Sequence, residues 1–214
     1  MIVKTASAHR NPAVIQKSPG RSSAFTLIEL LVVIAIIAIL IGLLFPAFRA
    51  VQDQAKRTQA KNDLTQIVNA VNAYYTDYGK YPIAAAVDTT FGPGGTPATN
   101  ETLFNPLRGL DTTLNPRQIV FISPPYVKDP NNPRSGIGTA AANTGQYFDP
   151  WGTNYVVRID GDYNNQAANP YTADTGAGPA ILKIGVIAWS RGKDAAQGTN
   201  FNASDDVISW QLCS

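Results

Sequence analysis

One histidine, one cysteine and fifteen acidic side chains bound the chemistry open to this 214-residue chain. Cys213 has no second cysteine to pair with, so neither an intrachain disulfide nor a cysteine-built zinc site is available. His9 stands in a basic N-terminal stretch, so a hydrolase using a histidine base in the folded part is not expected. The aspartates are scattered, and no spacing fixes two of them as a glycosidase pair. No residue is assigned a catalytic role, and the chain is not expected to be an enzyme. Three acidic features remain. Glu29 is a single charge at the head of a long apolar run. Asp160-Gly161-Asp162-Tyr163-Asn164 opens like a calcium loop, but Asn165 stands where an EF-hand has glycine and Tyr171 where it has glutamate. A polar hairpin tip is the better reading there, with Asp160-Gly161 serving as the turn. The third is the segment 190–207, where Asp194, Asp205 and Asp206 sit in a stretch without apolar periodicity. Three carboxylates brought together would repel one another without a cation, and calcium takes six to eight oxygen ligands. A solvated polar loop without metal is the competing reading.

The elements that must position these groups follow from hydropathy. From Leu30 to Phe48 no residue is charged, and only Gly42 and Pro46 interrupt the apolar run. As a helix it would span roughly 28 Å, about the thickness of a bilayer core. No small-residue cleavage site follows it, as a secretory signal peptide would require. Beyond Phe48 the period changes. Leu64, Ile67, Val68, Val71, Tyr74, Tyr75 and Tyr78 recur at helical spacing, making one apolar stripe. Asp53 and Arg57, four apart, are placed to pair on the exposed face. Gly79 and Pro82 end the helix at Tyr78. One helix over 25–78 would be roughly 80 Å long, with a kink expected at Pro46. From Pro82 to Pro179, 23 of 98 residues are glycine or proline, a density that favours loops and short strands. Strands are expected at 119–122, 155–159, 181–189 and 207–210, with 83–118 irregular. Asp149, in Asp-Pro-Trp-Gly, reads as a turn-former, and Trp151 as a side chain packing on the helix stripe. The expected fold class is α+β: a long helix packed against a small antiparallel sheet with long loops.

Charge is uneven. Residues 1–24 carry Lys4, Arg10, Lys17 and Arg21 and no acid, which leaves the remainder at −2. That gives little support to a nucleic-acid surface. Four basic residues flank the apolar run on each side, so charge alone does not orient it.

The run Phe25-Thr26-Leu27-Ile28-Glu29-Leu30-Leu31-Val32-Val33-Ile34-Ala35-Ile36-Ile37 closely resembles the start of type IV pilins and pseudopilins. Tyr74-Tyr75-Thr76-Asp77-Tyr78-Gly79-Lys80-Tyr81-Pro82, Asp149-Pro150-Trp151-Gly152-Thr153-Asn154-Tyr155 and the segment 190–210 resemble the major pseudopilin of type II secretion systems. The missing disulfide fits that branch, since type IVa pilins usually close a C-terminal loop with one. Residues 83–146 lie outside the resemblance. It implies a cytoplasmic leader, 1–24, cut by a prepilin peptidase between Ala24 and Phe25, and N-methylation of Phe25. The family usually has glycine where Ala24 stands. It also implies a transmembrane and assembly helix over 25–48, an amphipathic half over 49–82 and a periplasmic head over 83–214. Glu29 would attract the terminal amine of a neighbouring subunit and set assembly register. An acid at the centre of a membrane helix costs roughly 2.5–3.5 kcal/mol, less near an edge. A headgroup-level acid favoured by the helix dipole is the alternative. Asp194 and Asp206 fall on the family's calcium-binding aspartates, with Asp205 standing in for one that falls at Ser204. Implied partners are further copies of the chain, minor pseudopilins, the prepilin peptidase, an inner-membrane assembly platform and membrane lipid, with calcium as cofactor and no nucleic acid. The implied function is a pseudopilus subunit that helps move folded proteins across the outer membrane. A type IV pilin for adhesion, motility or DNA uptake and a tethered binding protein that never polymerises are the alternatives.

Overall fold

The computed structural model describes residues 25–84, 86–172 and 175–210. The leader 1–24, with Ala24 and His9, lies outside the described residues, as does Cys213. The chain divides into two compact units, 1–47 and 48–214.

Helix α1, Leu27–Tyr78, runs 52 residues and continues without a break through position 46. It stops where expected: Gly79 takes φ +68°, and its N–H donates to the Tyr75 carbonyl at 2.8 Å. A left-handed residue after the last helical one satisfies an orphan carbonyl, and glycine adopts it without strain. In the first unit every described side chain is exposed, from Phe25 onward. Ile34, Ile36 and Leu40 are each more than half open. The expected apolar run, 30–48, includes positions 43, 46 and 47, whose side chains lie outside the described residues. On the described side chains alone, no helix is long and apolar enough to cross a membrane.

The second unit is built on the other half of α1. Ala60, Leu64, Ile67, Ala70, Val71 and Tyr74 are buried, so the stripe is the one its spacing demands. Val68 and Tyr78 pack at its border, while Tyr75 stays exposed and lays its ring 4.8 Å from that of Tyr81. Each fully buried Leu, Ile or Val contributes about 1.5–3 kcal/mol. Asp53 does not take Arg57 as its partner. Its Oδ2 lies 3.3 Å from Lys193 Nζ, because the fold brings a distant cation to that face.

Against the stripe stands an antiparallel sheet. Its strands are β1 (Thr89–Phe91), β4 (Val156–Ile159), β7 (Val186–Ser190) and β8 (Val207–Ile208), in the order β1-β4-β7-β8. Two ribbons accompany it: β2 (Gly136–Ile137) with β3 (Tyr147–Phe148), and β5 (Ala167–Ala168) with β6 (Ile181–Leu182). Alternation sorts the central strands onto two faces. Val157, Ile159, Val186 and Ala188 join the helix core, while Val156, Ile187, Trp189 and Ile208 join a second cluster with Tyr171 and Leu182. Both faces are covered, which is why β7 reads as an unbroken apolar run. Trp151 packs on the helix-side core, as its place after the Asp-Pro turn suggested.

The structure corrects the sequence reading at further places. The strand expected over 181–189 is two strands, β6 and β7, which pair with different partners. Residues 119–122 form no strand. Phe121 N–H and Ile122 N–H both donate to the Leu107 carbonyl, and Val120 is exposed, so this apolar run docks on a helix end rather than a sheet edge. The segment 83–118 is not simply irregular. It holds β1 and a helix, α2 (Glu101–Leu107), with Leu103, Phe104 and Leu107 fully buried. Asn100, also buried, binds Tyr147 N–H and the carbonyls of Tyr147 and Tyr155, locking the start of α2 to β3 and to the residue before β4. Asp160-Gly161 is not a two-residue hairpin turn, since β4 pairs with β1 and β7 and not with the strand that follows it.

Asp63 on α1 sits beneath the sheet and accepts a 2.8 Å bond from the Tyr155 hydroxyl. Burial raises its carboxyl above the ordinary aspartate value, against the opposing effect of the tyrosine hydroxyls. The folded state therefore holds this proton more tightly than the unfolded one. Stability linked to Asp63 is present below the unfolded value and is lost as pH rises through the folded one. Asp63→Asn, which still accepts from Tyr155, should make the chain more stable than wild type at pH 7. The gap should close as pH falls to about 4, measured by chemical unfolding in detergent. A gap independent of pH would contradict this.

Candidate functional site

Two features carry chemistry: the start of α1 and the loop between β7 and β8. At the helix start Thr26 and Glu29 form a reciprocal cap. Glu29 Oε2 accepts from Thr26 N–H at 2.9 Å and from Thr26 Oγ1 at 2.7 Å, and Glu29 N–H donates back to Thr26 Oγ1 at 3.3 Å. This is a capping box, which satisfies orphan donors at a helix N-terminus. The sequence reading missed Thr26, although Thr-x-x-Glu before an apolar run is its signature. Glu29 thus holds its own helix end, and Phe25, the expected first mature residue, stands just before it, 79% exposed.

The loop leaves β7 at Ser190 and returns at β8. Its entry is pinned by Asp149, a buried carboxylate. Asp149 Oδ1 accepts from the N–H groups of Trp151, Gly152 and Thr153 at 2.8–2.9 Å, which makes it the turn-former expected. Its Oδ2 accepts from Ser190 Oγ at 2.6 Å, and Ser190 Oγ accepts from Gly192 N–H at 3.2 Å. Gly192 takes φ +63°, and a Cβ there would fall 2.4 Å from Asp205 Oδ1, so the backbone passes against that carboxylate as only glycine allows. Lys193 N–H and Asp194 N–H donate to Asp205 Oδ2 at 2.7 and 3.3 Å. Asp206 Oδ2 accepts from the Tyr171 hydroxyl at 2.8 Å and from Gly198 N–H at 3.1 Å. Asp194 is exposed, and its Oδ1 accepts from Ala196 N–H at 2.9 Å.

Asp194, Asp205 and Asp206 are brought together: each offers an oxygen within 4.8 Å of the others. Asp205 Oδ1 and Asp206 Oδ1 are buried without any hydrogen-bond partner. Burial pushes the Asp206 carboxyl above its ordinary value, with the Tyr171 phenol, Gly198 N–H and the Ser204 hydroxyl pulling the other way. Three clustered carboxylates, two of them with a buried unpartnered oxygen, are a donor set that a hard cation fits. Asp88, Asp160 and Asp162 also approach within 4.8 Å, but that loop satisfies itself. Asp160 accepts from Asn164 N–H and Asn165 N–H through its two oxygens, and Gly161 N–H donates to Asp88 Oδ1. Ser204 Oγ donates to the Phe201 carbonyl at 3.0 Å and accepts from Asp206 N–H at 3.4 Å.

With the geometry in place, comparison with known proteins gives one motif match and a consistent set of relatives. Residues 20–45 match the prokaryotic N-terminal methylation motif. That match places a prepilin-type motif at the start of the long helix. The chain is 26% identical over 192 residues to the type II secretion system core protein G of Aeromonas hydrophila, covering 90% of this chain and 94% of that one. It is 44% identical over 62 residues to the core protein G of Pseudomonas aeruginosa, 29% of this chain and 44% of that one. It is 36% identical over 61 residues to the type IV major pilin protein PilA of Myxococcus xanthus, 28% of each chain. No solved structure matches with significance.

Proposed function

We propose that this chain is a structural subunit of a type II secretion pseudopilus, polymerising through its N-terminal helix to help move folded proteins across the outer membrane. One observation carries the reading. The methylation motif heads an apolar helix with every described side chain exposed, and the same helix continues as the core of an α+β head. A stretch of exposed apolar surface that long requires lipid before assembly and neighbouring helices after it. The likeness to a core protein G along nine-tenths of the chain favours the secretion branch, since the likeness to the type IV pilin covers 28% of it. On this reading the leader is cut after Ala24, Phe25 is methylated, 25–48 spans the inner membrane once, and the head is periplasmic. The chain's partners are its own copies, minor pseudopilins, the prepilin peptidase and the assembly platform.

Glu29 in this account does two jobs: it caps α1 and offers a charge to a neighbour's amine. Its substitutions separate them. Glu29→Gln keeps an oxygen for Thr26 but loses the charge, so it should insert in the membrane as wild type does and still fail to assemble. Pseudopilus yield, read by shearing and immunoblot, should fall at least about tenfold, as expected for an ion pair lost in a low-dielectric setting. Wild-type yield from Glu29→Gln would rule out the charge role.

The second part of the proposal is a calcium ion at Asp194, Asp205 and Asp206. Calcium would offset two of the three negative charges and cross-link the two ends of the loop. Binding to the folded state alone stabilises it by about 2.7 kcal/mol at a hundredfold excess over Kd. Calcium should therefore raise the melting temperature of the full chain in detergent by several degrees, and chelator should reverse the rise. Asp194→Ala and Asp206→Ala should each shrink the increment. No heat of calcium binding and no response to chelator would reject the metal and leave the pilin-like assembly reading intact.

A further inference from the structure

We propose that Tyr171 is the positioning residue of the carboxylate loop: its hydroxyl fixes Asp206 so that the opposite oxygen is presented to the divalent cation. The inference rests on the calcium reading above and adds a residue from a different part of the fold. Tyr171 lies between β5 and β6, 35 residues before the aspartate it holds. It is 1% exposed and Asp206 4%. The Tyr171 hydroxyl and Gly198 N–H converge on Asp206 Oδ2. Two donors on one oxygen fix the plane of the carboxylate, and Oδ1 is left buried with no partner. A phenol suits this task because it orients the carboxylate without neutralising it, so the full negative charge remains for a cation. Lysine or arginine at the same place would compete with the metal for that charge.

The phenol is itself held rigidly. Its ring meets Phe201, a residue of the same loop, edge-on at 5.3 Å, and lies 6.2 Å from Trp210. Its backbone N–H donates to Asn169 Oδ1 at 3.0 Å, and Asn169 Nδ2 in turn donates to the carbonyls of Ala177, Gly178 and Pro179. The β5–β6 hairpin is thereby a fixed arm that ends on a cation ligand. Phenylalanine at 171 would keep the ring contacts and remove only the donor.

The test is calorimetric titration of calcium chloride into the full chain in detergent, paired with melting of the metal-free protein. Tyr171→Phe should weaken binding roughly tenfold, the loss expected for a hydrogen bond to a charged group. Leu182→Val trims the same apolar cluster without touching the carboxylate. It should lower the melting temperature of the metal-free protein and leave the Kd within about twofold. Wild-type affinity in Tyr171→Phe would overturn the positioning role while the calcium reading stands. An equal loss of affinity in Leu182→Val would overturn it too, by assigning the effect to packing. No calcium binding by the wild-type chain would overturn the metal reading and this inference with it.

Discussion

A helix with two solvents is the constraint on which the rest of this structure depends. From position 60 to position 74 α1 turns a stripe of alanine, leucine, isoleucine, valine and tyrosine into a sheet and buries it almost completely. That stripe organises the head. Val157, Ile159, Val186 and Ala188 meet it from β4 and β7, and α2 closes the core through Leu103, Phe104 and Leu107. From Leu30 to Phe48 the same helix carries no charge, and every described side chain there is exposed. The hydrophobic effect is satisfied within the chain for one half and left open for the other. An apolar surface of that length is one that lipid or neighbouring helices would cover.

The second constraint is electrostatic and local. The loop after β7 is not held by apolar packing alone. A relay of polar groups ties it down, from Asp149 through Ser190 to Gly192 and from Tyr171 to Asp206. Lys193 adds a contact to Asp53 on α1, although an exposed pair of this kind is worth under about 1 kcal/mol. What remains unbalanced is the pair of buried, unpartnered oxygens on Asp205 and Asp206. Such groups cost stability unless a cation or proton meets them. The contrast with Asp160, whose oxygens find backbone N–H donors in their own loop, shows what a self-sufficient acidic turn looks like in the same molecule.

Sequence reading served well where periodicity or a tightly spaced motif was present. The stripe from Leu64 to Tyr78, the stop at Gly79, the cores of β4, β7 and β8, and the Asp149 turn were all legible, because each is a local pattern with a local physical cause. The carboxylates of Asp194, Asp205 and Asp206 were legible as a loop group, sharpened by a family likeness, and the structure brings them together. Tyr171 was not legible as their partner, since a contact across 35 residues leaves no local signal. Helix α2 was missed because Pro106 and the surrounding glycines look like loop; its stability comes from three buried side chains and the Asn100 anchor. Residues 119–122 have a strand's composition, yet the Leu107 carbonyl took their N–H groups. The Asp53–Lys193 pair displaced the nearer Arg57 for the same reason: tertiary placement overrode spacing.

The claim most open to direct test is that the exposed half of α1 begins a mature pilin-like subunit. Mass spectrometry of the chain extracted from membranes of cells with an active prepilin peptidase addresses it without mutation. The account predicts a mature protein that begins at Phe25 and carries one methyl group on its amine. A chain that begins at Met1 in such cells would contradict it.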